Sequence, residues 1–282
     1  MKEIVVSIFF NIVVSILLKL YNKHSKGISL VITYNYLFSA ILCYILFKPD
    51  LPSLNYSSAP WLIYILMSIL MPVVFLLIAE SIKHTGIART DIAQRMSLLL
   101  TVSASFIFFK ESFNSIKVIG LLVGFLSIVF IFYSKKGDQT FPYNKLYLLI
   151  LIFFGLGIIN ILYKLIAVNK TFDFTTSTFF IFIGSFIVGC LITFVQKIIF
   201  SFKEILWGIA LSIFNFGNVY FYLKAHQTFK DNPSIVFASM NLGVIILGSL
   251  VGIVVFKEKM NKLNYLGLIL ALVAITIISL ST

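Results

Sequence analysis

The amino-acid sequence predicts an all-α integral membrane protein, with ten transmembrane helices arranged as a 5+5 inverted repeat around a central cavity. Three observations lead there. Of the 282 residues, 60% are apolar and only 11% charged, and the mean hydropathy is +1.05. A soluble domain covers its surface with roughly 25% charged residues, so this chain lacks a water-facing exterior. Apolar runs of about 20 residues, the length that crosses a bilayer core, recur along its whole length. Polar residues also recur in register between its two halves.

Ten windows qualify as spans: 4–21, 28–47, 61–82, 88–109, 118–133, 146–165, 174–200, 205–223, 234–256 and 263–280. Lipid offers no partner to a free backbone amide, so each segment must satisfy its own hydrogen bonds, which selects helices. A barrel needs short strands with alternating polar positions, and these windows are apolar throughout. The first window follows Met1-Lys2-Glu3 and leads into Tyr21-Asn22-Lys23-His24. No small-residue cleavage site follows it, so it is read as a retained span. Asn232-Pro233 reads as a cap and first-turn proline opening the ninth.

The polar stretch 135–143 divides the windows into two sets of five. Phe109-Lys110-Glu111-Ser112-Phe113-Asn114 aligns with Phe256-Lys257-Glu258-Lys259-Met260-Asn261 at an offset of 147, which also brings Gly120-Leu121 onto Gly267-Leu268. At an offset of 145, Ser15 to Leu20 falls on Asn160 to Leu165, pairing Lys19 with Lys164. The expected organisation is a first repeat at 1–136, a linker at 137–143 and a second repeat at 144–282. An odd number of spans per repeat makes the second enter the membrane from the other side, the inverted design of many secondary transporters.

The net charge is +12, and the basic residues sit in short clusters between apolar runs. That placement suits loops and anionic headgroups and provides no continuous basic stripe for nucleic acid. Cys43 and Cys190 fall within apolar runs and suggest neither a disulfide nor a metal site. His24, His84 and His226 are read as lying in or beside loops, without ligand spacing. No P-loop is present. No cofactor, metal or catalytic constellation is expected. The expected partners are the lipid bilayer and a small-molecule substrate, with a monomer favoured over a homo-oligomer.

Polar residues within spans are the candidate site. A charge at mid-helix costs about 2.5–3.5 kcal/mol on insertion scales. Asp91, Gln94 and Arg95 share one face of the fourth span. They form either an intrahelical pair at the interface or a cavity wall whose guanidinium holds a carboxylate or phosphate. Glu80 is either a proton-coupling carboxylate desolvated in the bundle or a partner for Lys83. Asn215, Asn218 and Tyr222 form a stripe on the eighth span, Asn160 and Lys164 one on the sixth, and Asn11 and Ser15 one on the first. Each polar residue could act as interhelical glue worth about 0.6 kcal/mol; a shared cavity explains the stripes together. Tyr34, Tyr36 and Tyr163 are further lining candidates. Glu111 and Glu258 are expected to tie inter-helix turns to a neighbouring lysine or backbone amide.

The recurring Phe-Lys-Glu turns, Gly120 and Gly267 opening the fifth and tenth spans, and Lys19 and Lys164 near the ends of the first and sixth together resemble the drug/metabolite transporter superfamily, specifically its EamA-type ten-helix members. The resemblance covers nearly the whole chain. The family's mid-span proline is missing from 98–101 and 245–248, so no proline kink is expected there. The resemblance implies a secondary transporter, not an enzyme. It implies one that moves a small polar metabolite, an amino acid or related compound, by export across the inner (plasma) membrane. The alternatives are a flippase for a lipid-linked intermediate and a membrane-embedded transferase. The family places both termini in the cytoplasm, whereas the lysine distribution between the two sides favours the reverse.

Overall fold

The structure is a computed structural model that describes residues 1–22, 27–49, 51, 56–85, 87–112, 114–131, 145–169, 172–198, 202–254 and 262–280. The proposed linker 137–143, Glu258 and the side chain of Lys19 lie outside what is described. The helices are α1 (Lys2–Asn22), α2 (Ile28–Phe47), α3 (Trp61–Thr85), α4 (Ile87–Met96), α5 (Leu98–Ile107), α6 (Ser115–Ile131), α7 (Leu146–Ala167), α8 (Phe174–Val195), α9 (Phe202–Thr228), α10 (Pro233–Val254) and α11 (Lys262–Leu280). No strand occurs among the described residues. Each expected span has its helix, and the fourth is built from two, α4 and α5. Several helices, α3 and α7 among them, are long and apolar enough to cross a membrane by length and composition alone.

The break in the fourth span arises without a proline. Ser97 turns its hydroxyl back onto the Gln94 carbonyl at 2.5 Å, and its own carbonyl accepts both Leu100 N–H and Thr101 N–H, at 3.1 and 3.2 Å. Thr101 and Ser105 repeat the back-bonding to Leu98 and Thr101 carbonyls. Such side-chain bonds compete with the helical ladder and bend helices. The equivalent α10 runs unbroken from Pro233 to Val254.

Contacts between helices follow the exchange of one half for the other. The α6–α11 pair joins the fifth and tenth spans, and the α2–α8 pair joins the second and seventh. The α2–α9 contact has its counterpart in α3–α8, and α1–α9 in α3–α7. Tyr36 of α2 faces Phe182 of α8 with ring centroids 6.3 Å apart, and these two residues are 146 apart in sequence. Their contact therefore lies near the axis relating the halves.

One large core runs through α1–α3, α5 and α7–α10 and reaches Leu121 of α6 and Ile278 of α11, and a smaller one joins α6, α10 and α11 through Ile128, Leu242 and Ala271. The exterior is apolar: Leu62, Ile65 and Ile69 on α3, and Ile119, Leu122 and Val129 on α6, are exposed. That arrangement is unfavourable in water and neutral in lipid. Among the described residues, the non-glycine positions with positive φ are all lysines, Lys48, Lys110 and Lys197. Lys48 caps α2, while Lys110 and Lys197 follow α5 and α8. There their charge complements the negative end of the helix dipole.

Candidate functional site

The interior of α2, α3, α7 and α9 carries the polar and aromatic side chains that converge. Tyr36 is fully buried, and its hydroxyl has no hydrogen-bond partner. Tyr34, two residues earlier, points to the other side of α2 and packs on Gly208 of α9. A helix rotates by about 200° over two residues, so one helix cannot present both tyrosines to a single cavity. Tyr163 of α7 donates to Met71 Sδ at 3.5 Å and meets Tyr222 edge-to-face at 5.7 Å. Tyr222 donates to Asn160 Oδ1 at 3.1 Å. Tyr36, Met71, Tyr163 and Tyr222 thus bring both halves to one buried aromatic cluster.

The predicted stripe on the eighth span divides. Asn215 is buried with an unpartnered Nδ2. Asn218 is instead committed to Ser7 of α1, whose hydroxyl approaches Asn218 O and Oδ1 at 3.0 and 2.9 Å. That is interhelical glue. On α1, Ser15 is exposed and returns its hydroxyl to the Asn11 carbonyl at 3.0 Å.

Arg95 closes α4 next to the break. Its Nη2 lies 3.9 Å from Asp91 Oδ1, with side chains 16% and 40% exposed, and Gln94 Nε2 donates to the same oxygen at 3.3 Å. The expected intrahelical pair therefore forms, but too loosely for a bidentate fork, and Arg95 Nε stays unpartnered. Glu80 pairs with His84 at 2.7 Å rather than with Lys83. Its side chain is half-exposed.

The densest polar cluster sits where the fourth, sixth and eighth spans end and the fifth and ninth begin. Lys117 Nζ donates to Glu111 Oε1 at 2.6 Å and to Asn232 Oδ1 at 2.9 Å. Glu111 also accepts from the Ser234 hydroxyl at 2.5 Å and from the Ser234 N–H at 3.0 Å. The ion pair is almost wholly buried, 1% and 0% exposed. Glu111 thereby caps α10, where a carboxylate suits the positive end of the helix dipole. The sequence reading foresaw a lysine or amide partner for Glu111; the structure supplies both and takes the amide from the other half. Pro233 opens α10 as expected.

Lys164 is 1% exposed. Its Nζ donates to the Lys230 carbonyl at 2.6 Å and the His226 carbonyl at 3.3 Å. His226 lies in the last turn of α9, which ends at Thr228. Its ring stands 4.7 Å from Tyr222 and 4.8 Å from Phe237. The signal for it was present: the stripe Asn215, Asn218, Tyr222 continues one turn to His226. Among the described residues no group of His, Cys, Asp and Glu is placed to hold a metal.

Residues 4–133, nearly the whole of the first five spans, match the EamA-like transporter family. An uncharacterized protein of Haemophilus influenzae is 36% identical, over 98% of this chain and 96% of that protein. A crystal structure of a protein with only 12% identity superposes with a TM-score of 0.75, covering 100% of this chain and 99% of that one, a likeness of fold. The chain is a multi-pass membrane protein that belongs to the EamA-like transporter family of the drug/metabolite transporter superfamily, whose members are transporters rather than enzymes.

Proposed function

We propose that this protein is a secondary carrier in the inner membrane that exports a small polar metabolite, an amino acid or related compound, by alternating access. Two similar halves of opposite orientation can exchange conformations, and the exchange moves the opening from one side to the other. That exchange requires the halves to be alike in fold and unlike in local arrangement at any moment. The observation that carries the reading is the buried Glu111–Lys117 pair, which fastens the end of the fourth span to the start of the ninth. The position equivalent to Lys117 is Asn264, which instead donates to the Phe130 and Ile131 carbonyls at 3.1 and 2.6 Å. One end of the bundle is thus held by a buried polar latch whose lysine is replaced by an asparagine at the equivalent position of the other half. The Ser97 break and the loosely held Arg95 lie earlier in the same fourth span, and in this reading Arg95 serves as a further polar contact for a substrate in transit.

Counterflow in proteoliposomes tests this. Vesicles loaded with millimolar amino acids, amines or phosphorylated metabolites should accumulate the labelled form of at least one class above protein-free vesicles. The absence of accumulation for every class, in protein that is folded and correctly inserted, would sink the transport reading.

A further inference from the structure

Lys164 is a buried cation that makes no ion pair among the described residues. The carbonyls of His226 and Lys230 that it binds carry only the partial charge of a helix end, and the Phe109 ring lies 6.0 Å from its Nζ. Glu111 and Asp231 act on it only from beyond ion-pair distance. Both oxygens of Glu111 are already committed to Lys117 and Ser234. Arg95 differs, because Asp91 stands beside it.

Next to this cation is the His226 ring, fully buried with neither nitrogen hydrogen-bonded. Leaving buried polar atoms unsatisfied is costly, and an intramembrane charge without a counter-ion costs more. A lysine that was only structural would be expected to have its charge matched, and a histidine that was only packing would be expected to bond through at least one nitrogen. Here two neighbouring groups, one cationic and one with a free donor, share the same deficit.

The geometry points to an anion-binding subsite at Lys164 and His226, at which the transported substrate docks a carboxylate. The surplus is a single positive charge, which suits a monoanion; a phosphate dianion would call for a second free cation, and Lys117 is already neutralised by Glu111. Tyr222 and Phe237, whose rings make edge contacts with the imidazole at 4.7 and 4.8 Å, supply apolar walls for the carbon skeleton. This assignment rests on the transport reading.

The test uses the full-length protein in detergent. The thermal midpoint is measured with each of the common L-amino acids, with the matching amine that lacks the carboxylate, and with inorganic phosphate. The subsite predicts that at least one amino acid raises Tm by several degrees while its amine does not. Lys164→Met and His226→Gln should each weaken that response at least tenfold in apparent affinity, with apo Tm lowered by no more than a few degrees. Equal shifts from amines, a shift from phosphate alone, no shift from any compound, or a response retained in both variants would each overturn it. So would a collapse of apo Tm in Lys164→Met, which would make the lysine structural. Counterflow of amines or neutral compounds alongside such a result would remove the subsite and leave the transport reading standing.

Discussion

A Cβ built on Gly120 would lie 2.7 Å from Ile278 Cγ1, and one on Gly267 would lie 2.7 Å from Ile131 Cγ1. Gly120 and Gly267 are 147 residues apart, as are Ile131 and Ile278. The fifth and tenth spans therefore make the same contact twice, once in each direction, as a two-fold between inverted halves requires. In lipid, close approach of small residues is a main source of helix association, because no hydrophobic effect separates helix from solvent.

Enlarging these glycines should weaken the α6–α11 pair. Gly120→Leu and Gly267→Leu are each expected to cost on the order of 1–3 kcal/mol, as overpacking does. Gly248→Ala is the control, since a Cβ there meets nothing within 4 Å, and it should leave the thermal midpoint unchanged. Thermal unfolding in detergent compares the three.

The Glu111–Lys117 latch makes a prediction about coupling. Glu111→Gln or Lys117→Met alone strands a buried charge, and loss of one partner costs about 3–5 kcal/mol in comparable pairs. The double variant should lose clearly less than the sum of the two singles. Additive losses in a chemical-denaturation cycle would mean that the pair is not coupled.

Arg95 should matter more for transport than for stability. Its ion pair with Asp91 is long and partly exposed, and such pairs contribute roughly 0–1 kcal/mol. Arg95→Ala is expected to leave expression and Tm nearly unchanged while lowering counterflow at least severalfold. Wild-type counterflow in that variant would remove Arg95 from the substrate path.

The inverted repeat was legible because recurrence of Lys, Glu, Asn and Gly at one offset is rare in chains built from a few apolar residue types. Gly120, Gly267 and the Phe-Lys-Glu turn carried it, and the structure assigns the first two to one contact type. The Ser97 break was not legible from a search for proline, because a serine hydroxyl on the Gln94 carbonyl bends a helix without interrupting its apolar run. His226 was missed because the end of the span was placed where hydropathy falls, at Leu223, and the helix continues through a polar turn. Asn215 and Asn218 look identical in sequence, and only the position of Ser7 decides that Asn218 is spent on helix packing. Glu80 shows the same limit: its spacing allowed Lys83 or His84, and rotamer geometry chose His84.

Orientation follows from labelling. With both termini cytoplasmic, as the family implies, a cysteine at Lys136 should react with an impermeant thiol reagent in intact cells, and one at Ser281 should not. The reverse pattern would favour the lysine distribution instead.

The central claim is that the two halves must part at the latch for transport to occur. Cysteines replacing Glu111 and Ser234, in a background lacking Cys43 and Cys190, can be bridged by a short bifunctional methanethiosulfonate and released by reductant. Counterflow in proteoliposomes should be abolished while the bridge is intact and restored when it is reduced, relative to the same unbridged variant. Undiminished counterflow with the bridge in place would contradict the account.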